Sequence, residues 1–87
     1  MQIITENGFE CTLDEEMLDD PDLFVNLISI QKGDPSSLPD VVESLLGSDG
    51  WNSLKEFSKN EKGRASLTRM TQEFMAVLKE ASGSKKN

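Results

Sequence analysis

The chain has 87 residues, one cysteine, no histidine and a formal net charge of −7 from 16 acidic and 9 basic residues. That length makes one domain, which buries roughly 60–65% of the surface its unfolded chain exposes and so holds a thin stability margin. A single Cys11 excludes an internal disulfide and a multi-cysteine zinc site, the lack of histidine removes the commonest general base and metal ligand, and the acidic surface repels nucleic-acid phosphates and anionic membranes.

In chain order, Ile3-Ile4 and Phe9–Leu13 read as the two arms of a β-hairpin closed by Asn7-Gly8, both of which tolerate positive φ. Phe9, Cys11 and Leu13 alternate with Glu10 and Thr12, so one face is apolar and needs helices to pack on. The acidic stretch 14–20 reads as loop or one helical turn. Asp20 then caps a first helix with Pro21 at its first position. Leu23, Phe24, Leu27 and Ile28 form its stripe, Val25 and Ile30 lie off it, Lys32 falls in the last turn and Gly33 stops it. Asp34–Ser37 is a turn, with Ser37 expected to cap a second helix in a weak capping box with Asp40. Leu38, Val41, Val42, Leu45 and Leu46 make the stripe of that helix. Gly47 ends it, and Ser48 or Asp49 caps a third helix carrying Trp51, Leu54 and Phe57. A polar turn over 60–64 and an extended 65–67 lead to a last helix from about Thr68 to Ala81. Its stripe is Met70, Phe74, Val77, Leu78 and Ala81, with Glu73, Lys79 and Glu80 off it. Residues 82–87 read as a flexible tail. The expected fold is mainly α: one domain over 1–81, an N-terminal hairpin on a bundle of about four helices, with an α+β arrangement as the alternative.

No residue cluster has the pattern of a catalytic, metal or cofactor site. The acids of 14–22 lack the ligand order of an EF-hand loop and read as a solvated loop with helix N-terminal charges. Cys11 has no histidine to activate it and reads as a small buried hydrophobe. Ser37-Leu38 opening an acidic helix is similar to the Asp-Ser-Leu attachment site of acyl carrier proteins, but Ser36 stands where that site has Asp, and Pro39 follows. The bases of the second half have no interleaved aromatic residues, and the helices around Gly47 carry acids, so neither a stacking platform nor a helix-turn-helix is indicated. Trp51, Met70 and Phe74 read as core. Val25, Ile30 and Met75, each off its stripe, are the candidate partner-binding residues. No apolar run approaches the ~20 residues of a membrane span. Met1–Glu6 has no basic region of a signal peptide, which makes a cytoplasm the expected compartment.

Several short stretches, in order, carry a resemblance: Asn7-Gly8-Phe9-Glu10, Leu18-Asp19-Asp20, Leu45-Leu46-Gly47 with Trp51 and Leu54, Glu61-Lys62-Gly63-Arg64, Met70 with Phe74-Met75, and Lys85-Lys86-Asn87. Over nearly the whole chain this pattern resembles the small tail assembly chaperones of long-tailed bacteriophages and prophages of Gram-positive bacteria. Lys62 stands where the family pattern has an acid. The resemblance implies a non-enzymatic protein without cofactors. It implies binding to the tape measure protein, contact with the tail tube protein, residence in the host bacterial cytoplasm and absence from the mature virion; self-association is a separate expectation, from the thin stability margin of so small a domain. Many members of that family are made in two lengths by a programmed ribosomal frameshift near the end of the short form. The alternatives are a small acidic structural or adaptor protein of the particle and, behind it, an acyl-carrier-like protein.

Overall fold

The computed structural model describes residues 1–84, so the expected tail over 85–87 lies outside the described residues. Strands β1 (Gln2–Ile4) and β2 (Glu10–Thr12) pair antiparallel, Ile3 opposite Cys11. Ile3, Phe9, Cys11 and Leu13 all point into the core, as the alternation requires. The loop differs from the expected two-residue turn. Gly8 N–H donates to Thr5 O (3.0 Å) and Thr5 N–H to Phe9 O (2.9 Å), so Glu6 and Asn7 are the central residues and only Gly8 takes positive φ (93°). Asn7 keeps negative φ. This is the three-residue hairpin loop in which glycine makes the bulge after an ordinary turn. The polar turn at 60–64 repeats the scheme: Gly63 N–H donates to Asn60 O (2.9 Å) and Asn60 N–H to Arg64 O (2.8 Å).

Glu15–Asp19 form a short 3-10 turn capped by Asp14, whose carboxylate accepts from Glu16 N–H. The adjacent Asp14 N–H bonds Leu45 O (2.9 Å), tying this turn to the helix behind it. Helix α1 (Pro21–Gln31) begins as expected, with the Asp20 carboxylate accepting from Asp22 and Leu23 N–H. Pro35–Ser37 make a second 3-10 turn capped by Asp34. The Asp34 carboxyl lies below its ordinary range because Ser36 donates to it. Helix α2 (Leu38–Phe57) follows. Ser37 does not cap it through its side chain, contrary to the expected capping box; its hydroxyl lies 3.5 Å from Asn26 Oδ1 instead. Proline at the second position of α2 presets the first turn.

Gly47 divides α2. Its φ of 77° and ψ of 174° are non-helical, so the chain turns there and the helix resumes at once. The two halves are the helices expected on either side of Gly47. That region of conformational space is essentially closed to residues with a Cβ. Gly50, one turn on, lies against the Leu46 side chain, and a Cβ there would overlap Leu46 Cβ. A Gly47→Ala variant is expected to lose about 1–3 kcal/mol of unfolding free energy, read as a lower urea midpoint at unchanged slope. An unaffected midpoint would mean that the bend does not depend on this glycine.

Helix α3 (Leu67–Ser84) is capped by Ser66, whose hydroxyl accepts from Arg69 N–H (3.3 Å). It continues through 82–84, past the expected end at Ala81, since Ser82-Gly83 contains no proline to stop it. Met70, Phe74, Val77 and Ala81 are buried and pack with Leu38, Val41, Val42, Leu45 and Leu54 of α2, while the hairpin covers one side.

Candidate interaction surfaces

The three residues singled out from sequence separate in space. Val25 is exposed (61%), beside the equally exposed Phe24. Ile30 is 5% exposed, which corrects the expectation of a solvent-facing contact. Five residues put Ile30 about 140° round α1 from Val25, and that side of the helix meets the core. Phe24 is corrected in the opposite sense: the sequence places it on the core stripe, whereas the structure turns it to solvent. Leu23 and Ile30 supply the buried edge of α1, with Leu27 half-buried against the same core. An 11-residue helix that is apolar on more than one face offers several candidate inner sides. Turns capped by Asp14, Asp20 and Asp34 bracket the helix, and packing against α2 selects the face that turns inward.

Met75 is half-buried on α3 and does share a surface with Ile30. They line one shallow groove of about 450 Å³ with Pro35, Leu67 and Thr71. Leu67 is 51% exposed at its rim. Two apolar surfaces result: the outer face of α1 around Phe24 and Val25, and the α1–α3 groove. Phe57, carried with Trp51 and Leu54 on the helix after Gly47, is 41% exposed, with its ring 5.2 Å from Phe9 at 53°. Trp51 is half-buried, with Lys55 Nζ 5.8 Å from its ring centroid.

The strongest polar feature was not legible as such. Glu73 is read as off the stripe because it is charged, yet it is 5% exposed. Its Oε2 accepts the buried Thr5 hydroxyl and its Oε1 accepts Asn7 Nδ2 (2.9 Å). Thr5 Oγ1 in turn accepts Phe9 N–H (3.1 Å). One carboxylate thus anchors the hairpin loop to α3. Its spacing, three after Met70 and four before Val77, is the signal that puts it on the inner face.

Glu73 also acts on Cys11. Burial first, and then the nearby carboxylate, push the thiol from an ordinary value of 9.0 to about 11. The folded state therefore favours the protonated thiol. Its contribution to stability is intact below about pH 9 and is lost as pH rises through about 11. Alkylation by iodoacetamide at pH 8 is expected to be slow in the folded chain and fast in urea; equal rates would contradict a protected thiol.

Of the acids of 14–22, Asp14 and Asp20 act as helix caps. Among the described residues no group of three or more His, Cys, Asp or Glu converges as metal ligands would, and no helix is long and apolar enough to cross a membrane. Compared with known proteins, the chain matches no family model, no curated protein and no solved structure.

Proposed function

We propose that this chain is a tail assembly chaperone of a long-tailed bacteriophage that binds the tape measure protein and keeps it soluble until tail tube subunits polymerise around it. The resemblance in motif order supports the reading. The structural observation that carries it is the pair Phe24 and Val25, both 61% exposed on a small domain of net charge −7. A holding chaperone needs apolar side chains that cover those of a client, and enough charge to keep the complex in solution. It needs no reacting groups, and the reading assigns this chain none. Binding lowers the concentration of free, aggregation-prone client by mass action, and the tube subunits then compete for the same apolar stripe. The tape measure protein is the main partner, with the tail tube protein as the competitor. The site of action is the host bacterial cytoplasm, and the chaperone leaves before the virion is complete.

Co-expression tests the reading. The tape measure protein is expected in the soluble fraction, co-purifying with this chain, and in aggregates without it. Purified particles are expected to lack the chain. Stoichiometric retention in particles, or no effect on client solubility, would replace the chaperone with a structural component.

A further inference from the structure

The net charge is not spread over the chain. Residues 1–31 contain eight acids (Glu6, Glu10, Asp14, Glu15, Glu16, Asp19, Asp20, Asp22) and no base. Residues 32–87 contain eight acids and nine bases, so the first segment carries −8, the rest +1, and the sum is −7. The exposed apolar face of α1 lies within the acidic segment. Phe24, Val25 and Ile28 fall on one side of the helix, with the first two exposed and the third half-buried. Asp20 and Asp22 share a recess with Asp40 of α2 at the start of α1, on the side of the helix that meets α2, and Asp22 lies about 60° round the helix from Val25, on the flank of the apolar face. Asp22 and Asp40 make no ion pair among the described residues.

We propose that the outer face of α1 docks an amphipathic helix whose apolar stripe is flanked by Lys or Arg. Phe24 and Val25 meet the stripe, and Asp19, Asp22 and Asp40 receive the flanking cations. The proposal rests on the chaperone reading for the identity of the client chain, and on the charge pattern for the chemistry of its docking segment. Apolar contact alone does not choose a register along a helix. Acids at one end of the strip do, because a misplaced or acidic flank meets like charge. The 11 residues of α1 span about 16 Å, enough for about three turns of a partner helix anchored at positions i, i+3 or i+4, and i+7. The α1–α3 groove carries no such signal: its lining from Ile30 to Met75 is uncharged.

The test uses the full chain and two labelled helical peptides of about 18 residues with the same leucine stripe, one flanked by Lys and one by Glu, followed by fluorescence anisotropy. The Lys peptide is expected to bind at least about tenfold more tightly, and to weaken several-fold as salt rises from about 0.05 to 0.5 M. The Phe24→Ser/Val25→Ser variant is expected to lose at least about tenfold in affinity at an unchanged thermal midpoint, since both side chains are exposed. The Asp19→Asn/Asp22→Asn/Asp40→Asn variant is expected to lose the preference between peptides. Equal binding of the two peptides overturns the proposal. So does loss through Leu67→Ser with the α1 double variant unaffected, which moves docking to the groove. A concentration-dependent dimer that the double variant abolishes and that excludes peptide also overturns it, making a second copy the occupant. Any of these leaves the client-solubility result standing. A chain that prefers the Lys peptide but leaves the tape measure protein insoluble keeps the docking chemistry and removes the chaperone reading.

Discussion

Phe74→Ala is expected to lower the free energy of unfolding by about 3–5 kcal/mol. Phe74 is fully buried and is among the largest such side chains in the protein. It belongs to the core shared by α3, α2 and the hairpin, and α3 packs on both of the others, so a space left there closes only if several elements move together. At 0.05–0.15 kcal/mol per residue an 87-residue domain holds about 4–13 kcal/mol, and one truncation removes a large part of that. Urea unfolding followed through Trp51 fluorescence and helical circular dichroism measures it at low temperature, where the variant still folds. Phe24→Ala, the same change on the exposed face of α1, is expected to stay within about 0.5 kcal/mol of the parent. Equal losses for the two phenylalanines would contradict the inside–outside assignment of both helices.

The second large effect is expected at the hairpin anchor. Thr5→Val keeps the shape of the side chain but removes the hydroxyl that bonds Glu73, leaving a buried carboxylate short of a donor and Phe9 N–H without its acceptor. The expected cost is about 2–3 kcal/mol. Thr5→Val combined with Glu73→Leu is expected to cost about 1 kcal/mol less than Thr5→Val alone, because the stranded carboxylate is gone and Asn7 is exposed and can turn to water. A double variant as unstable as the sum of the two single ones would show that Thr5 and Glu73 act independently. The hairpin would then be held by Ile3, Phe9, Cys11 and Leu13 alone.

That anchor marks where the chain stops being readable one stretch at a time. Glu73 and Thr5 are 68 residues apart, and nothing near either residue says that they meet. A charged residue beside an apolar stripe ordinarily faces water; here two hydroxyl and amide donors on a distant loop make burial tolerable. The exposure of Phe24 and the burial of Ile30 have the same origin. Both are apolar and both sit on α1, whose apolar residues cover more than one face, so helical spacing puts Phe24 on the stripe and Ile30 off it while packing reverses the two. The candidate surface was therefore half legible: Val25 and Met75 remain at accessible apolar surfaces, while Ile30 passes to the wall of a groove and Phe24 takes its place outside.

What the sequence by itself determined is local and covalent in reach. Asp20-Pro21 starts α1, Gly47 bends α2, the Met70–Ala81 stripe sets the inner face of α3, and alternation from Phe9 to Leu13 sets the inner face of the hairpin. In each case the signal lies in the backbone preference of one residue or in a period shorter than two turns. Segregation of the negative charge into the first 31 residues is likewise a property of the sequence. Only the tertiary structure decided which face of α1 is outside, that Phe57 leans on Phe9 instead of filling the core, and that Glu73 is buried. These outcomes depend on packing among segments distant in sequence, where the free energy of burying a side chain is set by the neighbours it meets and not by the residues beside it in the chain.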